Sequence, residues 1–525
     1  MRELLLLKYN VAIPMAGHSR RFKLAGYDKP KALLPVGAKM MIQHVIDMFD
    51  SEICTYHIVI NFEQQKKYPE IHSLLKDMAP YLTITVIEPH EDGPIHSLLQ
   101  IPDINNNVPF IVCYCDFFVT WDFQKFLYQI DSCDGAIPAF KGFHPASFGD
   151  TFYAYMRTNA DNMLLELREK RAFTDERHKE PASAGIYYFK SFDIFKYYSE
   201  RLINSGRMEL PESYVSLVFN DMVKDGLDIR VTEIDKFICL GTPNDYEQFL
   251  FWEKYFSQKG QISRHIASNN KQIAIMPMAG RGNRFLKYGY RVAKSLIQVG
   301  GQPMVSHSIN SLPVQDKWVF VARAESAERH QISKIFEGMK LDYSLITVND
   351  VTSGQAATCL LAENEIDDNA ELFISSCDYS TFFNYDSWQK ICDDNSIDGA
   401  IWTTRLKGTP VKDFEAFAYC TTHNNERTIQ KVVEKNTISS TPQLDPMVIG
   451  TFWFRRAADF KYAAKNIIDK NITVNGEHYL GTSINSLLDM GKKFVIFDVD
   501  QWISFGDPFE LEVLEYWREY FEKSF

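Results

Sequence analysis

An apolar run, a turn of small residues, an arginine and then a lysine occur in that order twice in this chain. The first occurrence is Val11-Ala-Ile-Pro14-Met-Ala-Gly17-His-Ser-Arg-Arg21-Phe22, with Lys31 ten residues after Arg21. The second is Ile273-Ala-Ile-Met276-Pro277-Met-Ala-Gly280-Arg-Gly-Asn-Arg284-Phe285, with Lys294 ten residues after Arg284. Pro14 and Pro277 stand 263 residues apart, and later matches keep nearly the same spacing. Phe110 to Asp116 pairs with Leu372 to Asp378, Asp134-Gly-Ala-Ile137 with Asp398-Gly-Ala-Ile401, and Glu169-Lys170 with Glu434-Lys435. Gly185 to Phe189 pairs with Gly450 to Phe454, and Leu240-Gly-Thr-Pro243 with Phe505-Gly-Asp-Pro508. So long a period, held with so little drift, reads as a duplicated domain and not as a short solenoid repeat.

The duplication predicts domains at 1–257 and 272–525, joined by a polar linker at 258–271 where periodicity lapses. Within each copy, short apolar strands alternate with amphipathic segments. Met41 to Phe49 carries apolar residues at helical spacing, and Thr83 to Ile87 reads as a strand. Such alternation predicts an α/β domain whose mostly parallel central sheet is flanked by helices. Ligands of such sheets bind beyond the carboxyl ends of the strands, where Gly17, Asp116, Gly280 and Asp378 are expected.

At 525 residues, 45% hydrophobic and 24% charged, the chain has material for two cores, and its net charge of −12 gives non-specific nucleic-acid binding no electrostatic support at whole-chain level. The nine cysteines lack zinc-type spacing and read as buried free thiols of a reducing, cytoplasmic protein. Cys113 and Cys115 are expected to alternate along one strand. Lys8 and Asn10 cut the Leu4–Leu7 run short of a signal-peptide core, and no stretch approaches the roughly 18 apolar residues of a membrane span.

The turn itself departs from better-known phosphate motifs. Phe285 stands where a dinucleotide fingerprint needs a third glycine, and no Gly-Lys-Ser/Thr follows. What remains is an arginine able to grip phosphate oxygens bidentately and a lysine acting as a point charge. Two such cations on one loop suit a triphosphate attacked at its α-phosphorus.

These residues resemble the sugar-phosphate nucleotidylyltransferases, also called nucleotide-sugar pyrophosphorylases, and the resemblance spans both copies. It rests on Ala16-Gly17, Arg21-Phe22, Lys29-Pro-Lys31, Asp116, Glu169-Lys170, Gly185 and Gly241-Thr-Pro243 in the first. In the second it rests on Ala279-Gly280, Gly282, Arg284-Phe285, Lys294, Gly354-Gln355, Asp378, Glu434-Lys435 and Gly450. The Ile-Pro-Met-Ala-Gly opening and Asn475-Gly-Glu-His-Tyr479, blurred to Glu212-Ser-Tyr214 in the first copy, look closest to enzymes of capsule and surface-polysaccharide synthesis.

The resemblance implies two tandem Rossmann-like nucleotidyltransferase domains that join a nucleoside triphosphate to a sugar phosphate or phospho-alcohol and release pyrophosphate. It implies Arg21, Lys31, Arg284 and Lys294 as catalytic cations and Asp116 and Asp378 as Mg²⁺ ligands. Ala16, Gly17, Ala279, Gly280, Gly282, Gly354 and Gln355 would meet the nucleotide. Glu169, Lys170, Gly185, Glu434, Lys435 and Gly450 would meet the sugar phosphate. Neither membrane insertion nor nucleic acid is expected, and a homo-oligomer is allowed. Two other readings stay open: one copy binds nucleotide without turnover, or the fold serves a nucleotide-sugar-dependent glycosyltransferase. The family commonly has a second metal carboxylate two residues before Gly-Thr, where this chain has Cys239 and Ser504; Asp235 and Asp500, four strand residues earlier, lie about 13 Å too far. The first copy also has His18-Ser19 and Pro94 where the second has Arg281-Gly282 and Gln355.

Overall fold

A computed structural model of the chain describes residues 8–148, 152–206, 212–258, 263–325, 332–406, 413–423 and 426–524. Leu4–Leu7 and positions 259–262 of the expected linker lie outside these residues. The chain divides into two compact units between Glu253 and Lys254, inside the helix Pro243–Ser257.

The first unit is built on β1 (Tyr9–Pro14), β2 (Cys54–Asn61), β3 (Leu82–Ile87), β4 (Phe110–Cys113), β5 (Gly135–Phe140), β6 (Ala154–Thr158), β7 (Leu164–Glu169), β8 (Ile186–Phe189) and β9 (Ile229–Glu233). The strand order is β3-β2-β1-β4-β8-β5, with β9 parallel to β5 and the β6–β7 hairpin beyond. Strands β1 to β4 are mutually parallel, whereas β8 runs antiparallel to both β4 and β5.

The second unit has β10 (Gln272–Met278), β11 (Lys317–Arg323), β12 (Tyr343–Val348), β13 (Glu371–Ser375), β14 (Gly399–Thr404), β15 (Ala418–Thr422), β16 (Ile429–Glu434), β17 (Met447–Phe454) and β18 (Phe494–Asp498). Its order, β12-β11-β10-β13-β17-β14-β18, matches that of the first sheet strand for strand.

The reason these segments are central strands is visible in which side each residue feeds. Ile273, Ile275, Val319, Val321, Leu372 and Ile374 pack into one core, and Ala274, Met276, Phe320 and Phe373 into another. Alternate side chains of a strand point to opposite faces, so a run apolar at every position must be covered on both sides. Helices such as Ala457–Asp469, with Phe460, Ala464 and Ile467 buried, provide that cover.

Three local expectations change. The helix from Met41 ends at Ile46, where the Met48 and Phe49 N–H groups donate to the Val45 and Ile46 carbonyls in tighter turns although both side chains stay buried. Strand β4 ends at Cys113, so Cys115 and Asp116 lie in the loop past it; both thiols are nevertheless buried. Residues 263–271 pack on the second unit instead of spanning freely. Ile266 is buried, Ala267 N–H donates to Gln389, and Ser268 donates to Glu371. Among the described residues no helix is long and apolar enough to cross a membrane.

Candidate functional site

Each signature loop leaves the carboxyl end of an inner parallel strand, β1 or β10, third in its sheet order. In the first unit, buried Asn61 and Gln64 at the end of β2 donate to the carbonyls of Ala16 and Met15, which holds the loop in place. The loop then turns through a left-handed residue into a single-turn helix, Arg20–Leu24 in one unit and Asn283–Lys287 in the other. Gly282 adopts φ 65°, ψ 34°, and Ser19 adopts nearly the same conformation at φ 51°, ψ 36°. The loss of this glycine in the first unit therefore leaves the loop shape intact, at the cost of a side chain in a strained region. Ser19 Oγ offsets some of this by accepting from Lys31 N–H at 3.3 Å. Ser19→Gly is expected to stabilise the first unit by about 1 kcal/mol, read as a shift in the urea midpoint of the full chain.

Phe22 and Phe285 are buried and anchor these turns, which leaves Arg21 and Arg284 exposed one residue earlier. Arg21, Lys31, Asp116, Ala16, Gly17 and Gly241 line a cavity of about 540 Å³. Arg284, Lys294, Asp378, Gly280, Gly282 and Gly506 line one of about 420 Å³ in the second unit.

The two sites share one central contact. Lys31 Nζ donates to Asp116 Oδ2 at 2.6 Å, and Lys294 Nζ donates to Asp378 Oδ2 at 2.5 Å. Each lysine opens a short 3₁₀ turn, and each pair is about a quarter exposed. Burial works to lower both lysine pKa values, but the facing carboxylate, with the neighbouring Cys115 or Cys377, leaves them raised. These lysines therefore stay charged at neutral pH, a state that suits an electrostatic group and not a base.

A second acid that the motif spacing did not indicate lies beside Gly506 in the second unit, and its counterpart in the first unit lies behind a thiol. Phe117–Thr120 pairs with Lys236–Cys239, and Tyr379–Phe382 with Gln501–Ser504, which brings Gly241 and Gly506 against Asp116 and Asp378. Asp235 and Asp500 lie at the far ends of these hairpins. Glu510, in the first turn of helix Pro508–Ser524, folds back instead. Its Oε2 accepts from Ser504 Oγ at 2.6 Å and from Asp507 N–H at 3.1 Å. A Cβ on Gly506 would lie 3.0 Å from Asp378 Oδ2 and 3.4 Å from both Glu510 Oε2 and Ser504 Oγ. Burial, then the charges of Asp507 and Asp378, push the Glu510 carboxyl up to about 7.

In the first unit the equivalent Asp245 accepts from Thr242 and lies 3.4 Å from Cys239 Sγ. A Cβ on Gly241 would meet Asp116 Oδ2 at 3.4 Å and that sulfur at 3.7 Å. Mg²⁺ prefers oxygen donors, so the Glu510 and Ser504 oxygens near Gly506 suit it better than the Cys239 thiol near Gly241. No cluster of three or more His, Cys, Asp or Glu forms a ready metal cage among the described residues. The missed acids had a sequence signal, since Thr242-x-x-Asp245 and Asp507-x-x-Glu510 have the spacing of helix capping boxes.

The Glu-Lys pairs lie on the last strand of each β-hairpin, outside the lining of the two cavities. Glu169 accepts from Ser216 Oγ at 2.5 Å, while burial raises its pKa. Burial pushes Glu434 up to about 7, although Lys435 and the Gly481 and Thr482 amides pull the other way. Lys170 and Lys435 both have φ 54°, a left-handed conformation in non-glycine residues that recurs at matching places. Gly185 and Gly450 act by close packing, against Phe117 and against Ser376 with Tyr379. Ala279 is buried beneath its loop.

Gly354 and Gln355 start the helix Gln355–Leu360, with Gln355 as its first residue; Pro94 holds that place in helix Pro94–Leu98. Salt bridges join this loop to the signature loop in both units, Arg281 to Asp350 at 3.2 Å and Arg20 to Glu91.

Two cations and a carboxylate thus gather beside a glycine turn at the carboxyl ends of parallel strands. Residues 11–180 match the MobA-like NTP transferase domain. The chain is 24% identical over 215 residues to the bifunctional protein GlmU of Methanococcus maripaludis, covering 39% of this chain and 46% of that one. It is 23% identical over 215 residues to GlmU of Methanocaldococcus jannaschii, covering 40% and 47%. It thus spans about half the length of the curated relatives it matches. Similar solved structures include a nucleoside-diphosphate-sugar pyrophosphorylase from Vibrio cholerae (20% identity, 46% of this chain and 99% of that one, TM-score 0.39). Another is an inositol-1-phosphate CTP transferase from T. maritima (16% identity, 48% and 98%, TM-score 0.38). The NTP transferase match covers β1 to β7 with Ala16, Gly17, Arg21, Lys31, Asp116, Glu169 and Lys170.

Proposed function

We propose that the chain is a tandem nucleotidylyltransferase, a duplicated domain at 1–257 and 272–525, that activates a sugar phosphate or phospho-alcohol for surface-polysaccharide synthesis. The observation that carries this reading is the arginine, lysine and aspartate gathered at the carboxyl end of the same strands in both units. An oxygen of the acceptor phosphate attacks the α-phosphorus of a nucleoside triphosphate. The bond from that phosphorus to the oxygen bridging to the β-phosphorus breaks, and pyrophosphate leaves with the electron pair.

The acceptor is its own nucleophile, so this chain needs no serine or cysteine nucleophile. Arg284 grips the departing pyrophosphate, and Lys294, kept charged beside Asp378, balances charge at the α-phosphate; Arg21 and Lys31 do the same in the first unit. Ala279-Gly280, Gly282, Gly354 and Gln355 hold the nucleoside, as Ala16 and Gly17 do in the first unit. Glu434, Lys435 and Gly450, like Glu169, Lys170 and Gly185, shape the acceptor side. Asp378, with Glu510 and Ser504 beside it, would hold Mg²⁺, which when bound neutralises phosphate charge. Nine buried free thiols suit a cytoplasmic setting.

A second reading has one specific support. Cys239 beside Asp116 and Pro94 in place of Gln355 favour turnover in the second unit, with the first binding nucleotide as a regulatory or structural domain.

A pyrophosphate-release screen of four nucleoside triphosphates against sugar and alcohol phosphates tests both. At least one pair is expected to turn over, and Arg284→Ala should lower its rate by about 10²-fold or more. Equal loss with Arg21→Ala alone would assign that pair to the first unit. Turnover of no pair would sink the enzyme reading.

A further inference from the structure

In both units one short segment touches the loop that opens the nucleotide-side helix and also the Glu-Lys pair. In the second unit this strap is 477–482. His478 N–H donates to the Ser353 carbonyl at 2.8 Å, and Ala356 N–H donates to the His478 carbonyl at 3.0 Å. The following residue, Tyr479, presents its ring to Lys435, whose Nζ is 5.4 Å from the ring centroid and donates to the Ala416 carbonyl. The Tyr479 hydroxyl donates to Glu477, and the amides of Gly481 and Thr482 reach Glu434.

In the first unit the strap is 212–216. Ser213 N–H donates to the Asp92 carbonyl at 3.0 Å beside Gly93. Tyr214 places its ring centroid 4.4 Å from Lys170 Nζ and its hydroxyl within hydrogen-bond reach of that nitrogen. Ser216 then donates to Glu169. The same geometry is thus built on a shared Glu-x-Tyr, Glu212-Ser-Tyr214 in one unit and Glu477-His-Tyr479 in the other.

The lysines themselves are held in a left-handed conformation that costs on the order of 1 kcal/mol or more. Their backbone N–H groups are tied to Tyr153 and Phe417 carbonyls. The backbone aims each lysine, and the tyrosine face is what its charged end meets.

We infer that Tyr479 and Tyr214 are positioning residues for Lys435 and Lys170, and that each strap couples the nucleotide-side loop to the lysine that receives the acceptor phosphate. The inference rests on the acceptor role given above to Lys435 and Lys170. Order at the nucleotide-side loop then reaches the acceptor lysine through one ring and main-chain hydrogen bonds, two in the second unit and one in the first.

The two lysines in one chain serve as controls for each other. Full-length protein is treated with pyridoxal 5′-phosphate, an aldehyde carrying a phosphate, then reduced with borohydride, and labelling is mapped by peptide mass spectrometry. Both lysines should label, with protection by inorganic phosphate. Tyr479→Ala should lower Lys435 labelling about tenfold while Lys170 changes by less than about twofold, and Tyr214→Ala should do the reverse.

Tyr479→Phe, which keeps the ring, should retain Lys435 labelling. With any substrate pair that turns over in the second unit, Tyr479→Ala should raise the acceptor KM far more than the nucleotide KM. Unchanged or higher Lys435 labelling in Tyr479→Ala, or equal loss at both lysines, overturns the inference. If no pair turns over, nucleotidyl transfer fails as a reading, and the labelling pattern still decides whether the tyrosines place the lysines.

Discussion

Lys294→Ala is expected to lower kcat of the second unit's reaction by about 10²- to 10³-fold, with a much smaller change in nucleotide KM. The lysine is the cation nearest Asp378, and its raised pKa keeps it charged through the neutral range. Removing one preorganised positive group from a site where charge develops costs roughly this much. The loss should fall on kcat because charge at the α-phosphate grows in the transition state and is smaller in the bound substrate. Stability should change little, since Asp378 is about a quarter exposed and rehydrates when its partner goes. Steady-state pyrophosphate release and a thermal melt on the same sample check both parts. Lys31→Ala alongside it shows which unit carries a given substrate pair. A Lys294→Ala enzyme with wild-type kcat on every active pair would remove this lysine from the chemistry.

Gly354→Ala is expected to be among the most damaging one-carbon changes in the second unit. Gly354 has φ 137°, which a residue with a side chain rarely adopts. The added Cβ would lie 2.6 Å from the His478 carbonyl oxygen and closer still to its nitrogen, both of them backbone atoms with no freedom to swing away. The backbone strain costs about 1–3 kcal/mol, and the overlap adds about as much again. The two main-chain bonds between this loop and the strap should break, so turnover should fall together with protection of the Ala356 amide from hydrogen exchange. Gly338→Ala gives the contrast, because nothing lies within 4 Å of its Cβ and its stability should hold or rise slightly. Retained exchange protection at Ala356 in Gly354→Ala would show that the strap is not gripped through this glycine.

Most of the architecture was legible because it follows from periodicity. Ile273 to Met276 alternate between two cores, so a run apolar at each position had to become a strand covered on both faces. The arginine and lysine of each loop were legible because they recur together. Boundaries were less so: β4 stops at Cys113, since nothing in Cys-Tyr-Cys-Asp marks where main-chain pairing with β8 ends. Ser19 was read as a lost glycine, yet it takes the left-handed conformation of Gly282, because hydrogen bonds from the surrounding loop outweigh one residue's preference. The placement of Glu510 beside Ser504 and Gly506 depends on a helix start folding back beside a hairpin, which needs both elements in place.

The sequence by itself determined two α/β units of one topology, the residues that form each glycine-turn loop, and the arginine and lysine that each loop carries. Those properties depend on local spacing and on burial of alternating apolar residues, which the order of residues encodes directly. Only the tertiary structure decided that Lys31 and Lys294 are paired with Asp116 and Asp378, that a thiol stands beside one site and a carboxylate beside the other, and that Tyr214 and Tyr479 face the second lysines. Each of those contacts joins positions far apart in the chain, and the angstrom-scale placement that sets charge, burial and pKa exists only once the sheet has brought them together.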